Sequence, residues 1–473
     1  MKLKEWLSEL KYEMMQGSLE EEVEEVVYDS RKAAEHSVFI CMKGANADSH
    51  QFVPDVLKKG TRVFVVEEDI DVPADITVLK VENGRNALSL LSAARFDYPV
   101  RKMVSIGVTG TKGKTTSTYM IKSILEAAGE QVGLIGTNGA VIGANHYPTK
   151  NTTPESYILQ EYFARMVEEG CTYMVMEVSS QSYLMHRVDG IFFDYSIFLN
   201  ISNDHIGPNE HATFEEYLYY KKQLLQNSGI VLVNRDDEHF ESIIEGSAAT
   251  VKTFALDHAA DFMAENLQYI REHDFVGLDF QVTGDYDIKL RVNVPGRFNV
   301  YNALAAIAVS VENGIDGETI KRGLLNFTGT KRRFEKKGDL KGITVIDDYA
   351  HHPQEIEATL KAARNYPHKR IWCVFQPHTY TRTKALLPQF AEALSLADCV
   401  VLADIYPARE TDTLGVSSGD IAALLEEKGV NTWYLSTFDE IETFILENCI
   451  QGDLLITMGA GDVVKVGEEL LGL

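Results

Sequence analysis

The sequence predicts an α/β protein of three domains: a small N-terminal α/β domain over residues 1–98, a central phosphate-loop domain with a mostly parallel sheet over 99–328, and a C-terminal doubly wound domain over 329–473. Three observations predict it. Residues 107–116 read GVTGTKGKTT between an apolar run and a helical pattern. Short apolar runs alternate with helical patterns along much of the chain, the pattern of a parallel sheet covered by helices. Finally, 473 residues with 45% hydrophobic composition can bury several cores, and length suggests about three domains.

In the first domain, strands are expected at 26–28, 38–42, 62–67 and 76–81. Ser30, Arg31, Lys43, Asp48 and His50 stand at the ends of these runs. Taken alone, such residues are turns and solvated faces. A helix is expected over 83–98, closed by Pro99, which marks a domain boundary.

The second domain opens on a strand at 103–108, a loop and a helix over 117–128. Gly110 and Gly113 let backbone N–H groups close around phosphate oxygens, with Thr111 and Lys112 between them. The helix N-terminus adds positive potential, Lys114 supplies a point charge, and Thr115 or Thr116 would hold Mg²⁺. Val108 stands where the strict motif has glycine, so the loop is a variant, and it points to ATP as the nucleotide. Further strands are expected at 131–137, 173–180, 195–201, 229–234 and 250–256, with functional residues just beyond their carboxyl ends. Glu177 and His205 stand there. Together they suit Mg²⁺ ligation; singly they suit a salt bridge and a capped turn. Lys221 and Lys222 lie on a helical stretch where solvated charge is the ordinary reading. Asn299 and Asn302, at near-helical spacing, could face a nucleotide or cap their helix.

The third domain places Asp347, Asp348, His351 and His352 between a strand and a helix whose first turn holds Pro353. Strands at 371–376, 399–405 and 453–459, separated by helices, make it Rossmann-like. Polar clusters at 376–383 and 406–412 follow two of them. Without a phosphate loop of its own, this domain reads as a lid that brings a second substrate.

Composition narrows the partners. A formal charge of -25 repels nucleic acid. Five widely spaced cysteines form neither a zinc pattern nor an even disulfide framework, so buried thiols in a reducing cytosol are expected. No window approaches the roughly 20 apolar residues of a membrane span. A cytoplasmic monomer without nucleic-acid or membrane partners is the expectation.

Seven segments, TGTKGKTT, NTTPE, EVSS, NISNDH, GRFNVYNALAA, KRRFE and DDYAHHP, fall in the order and approximate spacing of the Mur ligases, and the chain resembles that family over essentially its whole length. The family joins amino acids to peptidoglycan precursors at the expense of ATP. YDSRKAAEHSVFICMKG followed by DSHQF is similar to the first domain of the tripeptide synthetases (MurE type), which extend UDP-N-acetylmuramoyl-L-alanyl-D-glutamate. The resemblance implies phosphate and Mg²⁺ contacts by Lys114 and Thr115, magnesium ligation by Glu177 and His205, and a carbamylated, metal-ligating lysine at Lys221, with Lys222 as the alternative register. It implies nucleotide contacts by Asn302, Arg333 and Asp348. Thr152, Thr153, Ser179 and Arg187 would hold the muramoyl-peptide, and Ser30 and Arg31 would lie near the uridine diphosphate.

Two departures stand out. Gln181 follows EVSS where the tripeptide synthetases usually carry histidine, and their Asp-Asn-Pro-Arg type loop is absent. FQPHTYTRT and DIYPARE resemble instead the UDP-N-acetylmuramate–L-alanine ligases (MurC type). Arg409 and Glu410 are the expected contacts to the incoming amino acid, with a surface role as the alternative for Arg409. Three readings compete: a tripeptide synthetase, a sibling ligase acting on UDP-N-acetylmuramate or a polyglutamate-like acid, and a silent nucleotide-binding paralogue.

Overall fold

Apolar runs too short to pair alone build the first sheet of the computed structural model, which describes the chain apart from residues 45–47, 205, 208–209, 273–274 and 409. Its strands are β1 (Glu13–Gln16), β2 (Glu25–Val27), β3 (Ser37–Ile40), β4 (Val63–Val66) and β5 (Thr77–Lys80), in the order β1-β5-β4-β3-β2. All pairs are parallel except β1 with β5. Because side chains alternate between faces, Val38, Ile40, Val63 and Val65 meet Leu88 and Leu91 of the helix Gly84–Arg95, whereas Phe39 and Phe64 meet Val53 and Val56 on the other side. Asn83 caps the helix Gly84–Arg95, accepting from the backbone N–H groups of Arg85 and Asn86.

The chain packs as two units. One comprises Met1–Phe262 with Ala305–Ile320, the other Met263–Leu304 with Lys321–Leu473. In the first unit the central sheet holds β6 (Val104–Thr109), β7 (Val132–Gly136), β8 (Gly139–Ile142), β9 (Asn145–Tyr147), β10 (Tyr173–Glu177), β11 (Phe193–Phe198), β12 (Ser228–Asn234) and β13 (Thr250–Ala255). They run in the order β13-β12-β11-β6-β10-β7-β8-β9. From β13 to β7 every pair is parallel, and the β7-β8-β9 end is antiparallel. From β6 the chain crosses to β7 on one side, and from β11 it continues to β12 on the other. The crevice at the carboxyl ends of β6 and β11 is therefore a topological switch point, the place where such sheets bind ligands.

The second unit contains most of β14 (Phe262–Glu272), then the antiparallel pair β15 (Phe275–Gly284) and β16 (Ile288–Val292). Its six-stranded sheet is built from β17 (Glu335–Leu340), β18 (Ile343–Asp348), β19 (Ile371–Phe375), β20 (Cys399–Leu402), β21 (Asn431–Tyr434) and β22 (Leu454–Met458), ordered β17-β18-β22-β19-β20-β21. It is parallel except at β17. Separate apolar layers cover its two faces, as a doubly wound sheet requires.

The α/β class and the three sheets are as expected, and most predicted strands differ only at their ends. The expected strand at 173–180 stops at Glu177, because Ser180 already opens the helix Ser180–Leu184. Strands β14 to β16 have no counterpart in the sequence reading; charged residues interrupt their apolar side chains, so no continuous run marks them. All five cysteines are buried free thiols. Among the described residues, no helix is long and apolar enough to cross a membrane.

Candidate active site

The phosphate loop bridges β6 and the helix Lys114–Ala127, and its shape depends on two glycines. Gly110 has φ +154° and Gly113, the N-cap, has φ +89°, where a side chain would be strained. The loop is held from the neighbouring strand end by Asn200. The Thr111 N–H donates to the Asn200 carbonyl at 2.9 Å, the Lys112 N–H donates to Asn200 Oδ1 at 2.9 Å, and Asn200 Nδ2 donates back to the Lys112 carbonyl at 3.1 Å. Lys112 pairs with Asp204 at 2.8 Å. Asn200 and Asp204 lie in the NISNDH segment; only the fold reveals that they brace the loop. Lys114 curls over it, donating to the Gly110 carbonyl at 2.8 Å and the Thr111 carbonyl at 3.2 Å.

Lys221 comes to the same loop from the helix Phe214–Gln226. It is 2% exposed and donates to the Gly110 carbonyl at 2.9 Å, with its ammonium 4.9 Å from the Tyr217 ring centroid. Burial, and then the neighbouring charges of Lys114 and Lys112, push its pKa well below the usual ammonium range, against the opposing pull of Asp204. Burial of this kind favours the neutral amine, the form that adds to carbon dioxide. Lys222 is only half-buried, so the geometry favours Lys221 in the register left open by the sequence.

Beyond β10, five of the expected residues form one cluster. Glu177 is 1% exposed; its Oε1 accepts from the Thr137 N–H at 2.9 Å and its Oε2 from the Thr137 hydroxyl at 3.1 Å. Thr137 in turn meets Thr152 at 3.0 Å. Thr153 donates to the Glu177 carbonyl at 2.9 Å and accepts from the Ser179 N–H at 3.1 Å, and Arg187 donates to the Thr153 carbonyl at 3.2 Å. Gly136 makes room for the carboxylate, since a Cβ there would lie 2.2 Å from Glu177 Oε1. Gly136→Ala is therefore expected to displace the carboxylate and lower activity at limiting Mg²⁺ by roughly 10–100-fold, the range for disturbing the setting of a metal ligand. An unchanged Mg²⁺ titration would show that Glu177 has no such role.

The donor set fits a nucleotide-bound Mg²⁺, which takes oxygen ligands from one or two carboxylates, phosphates and water. Among the described residues, no group of three His, Cys, Asp or Glu side chains is placed to hold a metal. Thr115 is buried at the first turn of the helix Lys114–Ala127. His205 lies outside the described residues. His211, which the sequence reading did not select, is fully buried; its Nε2 is 2.8 Å from the Ser180 hydroxyl and its ring lies 5.3 Å from that of Tyr217. It thus occupies the neighbourhood of Gln181 without being adjacent in sequence.

The other expected residues have partners of their own. Arg31 is engaged by Asp29 at 2.7 Å, and hydrogen bonds from Arg31 hold the Asp29 carboxyl down at about 2. Ser30 and Arg31 offer their carbonyls to Lys59. Asn302, Arg333 and Asp348 belong to the second unit. Asn302 donates to Asn299 at 3.1 Å, and Asn299 donates to the Pro295 carbonyl at 2.7 Å, so Asn299 ties down its own helix. Burial pushes Asp348 up to about 6, against Arg333 and the N–H groups of Ala350 and Phe334. At the ends of β19 and β20, the His378 ring stacks on Tyr406 at 5.7 Å. Burial raises the Glu410 carboxyl, but hydrogen bonds from Thr381 outweigh it and leave it low. Arg409 lies outside the described residues.

Comparison with known proteins agrees with this architecture. Residues 108–310 match the Mur ligase middle domain, and residues 332–461 match the Mur ligase, glutamate ligase domain. The chain is 45% identical over 371 residues to the UDP-N-acetylmuramate--L-alanine ligase of Agathobacter rectalis, covering 78% of this chain and 75% of that protein. It is 37% identical over 416 residues to the UDP-N-acetylmuramoyl-L-alanyl-D-glutamate--2,6-diaminopimelate ligase of Clostridium perfringens, covering 86% and 84%. A solved UDP-N-acetylmuramoyl-L-alanyl-D-glutamate--2,6-diaminopimelate ligase shares the fold at a TM-score of 0.72 and 20% identity, over 100% of this chain and 99% of that one. The MurF ligase of Thermotoga maritima, solved with ADP, does so at 0.66 and 17%, over 95% and 98%. With the phosphate loop and its surroundings built as described, these matches place the chain in the Mur ligase family, the ATP-dependent ligases of peptidoglycan synthesis.

Proposed function

We propose that this ligase adds an amino acid to UDP-N-acetylmuramoyl-L-alanyl-D-glutamate. The observation that carries the reading is the cluster of Thr152, Thr153, Glu177, Ser179 and Arg187 on one strand end of the sheet that also bears the phosphate loop. An acceptor carboxylate attacks the γ-phosphoryl group of ATP, giving an acyl phosphate and ADP. The amine then forms the C–N bond, phosphate leaves with the C–O electron pair, and the amine gives up a proton. Bound Mg²⁺ neutralises charge on the phosphates, with Thr115, Glu177, His205 and carbamylated Lys221 as the groups that would hold it. Residues 110–116 are assigned to the phosphates of the nucleotide, with Lys114 where negative charge develops, and the family resemblance assigns nucleotide contacts to Asn302, Arg333 and Asp348. Ser30 and Arg31 lie near the uridine diphosphate. The protein's main work is positioning and exclusion of water, which would hydrolyse the acyl phosphate. Domain divisions at 98/99 and 328/329, a cytoplasmic location and a monomeric state belong to the same reading.

A sibling reading, with UDP-N-acetylmuramate as acceptor, is supported by the relatives of that name and by FQPHTYTRT and DIYPARE. Phosphate release from ATP should be measured with pooled amino acids and, in turn, the muramoyl dipeptide, UDP-N-acetylmuramate and a polyglutamate-like acid. Turnover with the dipeptide alone is expected; turnover only with another acid would transfer the function to the sibling reading, and none with any would leave a silent paralogue.

Arg409, beside Glu410 and Asp412, is assigned to a side-chain carboxylate of the incoming amino acid, which a planar guanidinium can hold in a bidentate pair. Arg409→Ala is expected to raise the KM for the amino acid roughly tenfold or more while that for ATP stays nearly constant. Equal losses for both, or none, would remove Arg409 from the site.

A further inference from the structure

Next to the acceptor cluster, one carboxylate lies between two arginines. Glu155, at the N-cap of the helix Ser156–Glu168, takes Arg187 in a fork: Nε donates to Oε1 at 2.9 Å and Nη2 lies 2.7 Å from the same oxygen. From the other side, Nη1 of Arg85 stands 3.9 Å from Glu155 Oε2, an ion-pair distance beyond hydrogen-bond range. Arg85 lies in the first turn of the helix Gly84–Arg95, whereas Arg187 lies in the loop after the helix Ser180–Leu184.

That helix also sets the position of the loop. Asn86 Nδ2 donates to Asp189 Oδ2 at 2.6 Å, and the Ser89 hydroxyl donates to the Asp189 carbonyl at 2.8 Å. His186 Nδ1 lies 2.7 Å from Asp189 Oδ2 and its Nε2 lies 3.2 Å from Asn83 Nδ2. A carboxylate only accepts and an amide N–H₂ only donates, so the imidazole carries its proton on Nδ1. His186 itself has φ +54°, a conformation that costs a non-glycine residue energy and persists only where its surroundings enforce it. The same helix therefore both supplies Arg85 and fixes Arg187, so the two guanidinium groups are held in a defined relation to one carboxylate.

We infer that Arg85 is a second arginine reading the carboxylate-bearing acceptor, and that Glu155 is an internal carboxylate the acceptor's own carboxylate replaces between Arg85 and Arg187. The inference rests on the reading that Arg187 holds the muramoyl-peptide. Two guanidinium groups facing one carboxylate give a carboxylate-bearing acceptor charge-complementary partners at this edge. Exchanging Glu155 for a substrate carboxylate preserves the charge-assisted hydrogen bonds to Arg187, and Arg85 needs only to close a gap of about one ångström.

The test is calorimetric binding of UDP-N-acetylmuramoyl-L-alanyl-D-glutamate and, in parallel, UDP-N-acetylmuramate to full-length wild type, Arg85→Ala, Arg85→Lys, Glu155→Gln and Arg187→Ala. ATP KM and melting temperature are followed throughout. Arg85→Ala is expected to weaken acceptor binding roughly tenfold, the value of one charge-assisted hydrogen bond. Arg85→Lys should recover part of that loss, ATP KM should stay constant, and Glu155→Gln should tighten acceptor binding severalfold. Unchanged acceptor binding in Arg85→Ala, with loss in Arg187→Ala, would overturn the role of Arg85 and leave the acceptor-site reading standing. Loss in Glu155→Gln as large as that in Arg187→Ala would make Glu155 a permanent strut and overturn the exchange. A fall in melting temperature with parallel losses for acceptor and ATP would make Arg85 merely structural. No effect from either arginine would overturn the inference together with the acceptor-site reading on which it rests.

Discussion

Lys114→Ala is expected to abolish ligation. The ammonium of Lys114 lies over the loop carbonyls of Gly110 and Thr111, at the N-terminus of a helix whose first-turn N–H groups face the same space. In that arrangement a fixed positive charge does most for the transition state, because charge spreads over the transferred phosphoryl oxygens only as the bond to ADP loosens. Removing one preorganised donor of this type costs about 10²–10³ in kcat, and the loss here also removes a full charge. Phosphate release under saturating ATP measures it directly. Near-normal turnover would place the nucleotide elsewhere.

Lys221→Ala is expected to have the next largest effect, and its chemistry gives it a rescue. The buried amine stands close enough to Lys114 and Lys112 for both to depress its pKa. Carbamylation would put a negative charge where an ammonium would be a third positive one, turning repulsion into attraction, and would supply an oxygen ligand for Mg²⁺. The variant should lose roughly 10–100-fold or more of its activity, the range associated with disturbed metal ligation. A short carboxylate added to the assay should restore part of it by filling the space, and wild-type enzyme stripped of carbon dioxide should regain activity with bicarbonate. Peptide mass analysis under mildly basic conditions should find the carbamate on Lys221. Its appearance on Lys222, or on neither lysine, would refute the assignment.

Much of this protein was legible because its chemistry is local. Gly110 and Gly113 are contiguous with Lys114 and Thr115, so a loop built from positive-φ glycines, a helix N-terminus and a lysine can be recognised without any distant contact. The parallel strands were legible for a related reason: a strand buried on both faces is largely apolar, and β4, β19 and β20 are apolar throughout. Strands β14 to β16 escaped recognition because their charged residues break up any apolar run. Gln181 shows the limit of adjacency, since His211 reaches Ser180 from 31 positions away along the chain.

By itself, the sequence determined the α/β class, the phosphate loop, the order of the strand-end segments and, by resemblance, the ligase family. Local conformation and hydrophobic periodicity are properties of neighbouring residues, and they survive in a linear reading. Tertiary structure alone buried Lys221 and left Lys222 half-exposed, because adjacent positions on a helix point about 100° apart and only packing selects the one that turns inward. It alone recruited Asn200 to the phosphate loop and drew Thr152, Thr153, Glu177, Ser179 and Arg187 into one cluster. It alone set Glu155 between Arg85 and Arg187, residues 102 positions apart in the numbering of the chain. Such long-range contacts arise when parallel strands bring distant segments to one edge of a sheet, and nothing in any single segment encodes its partner.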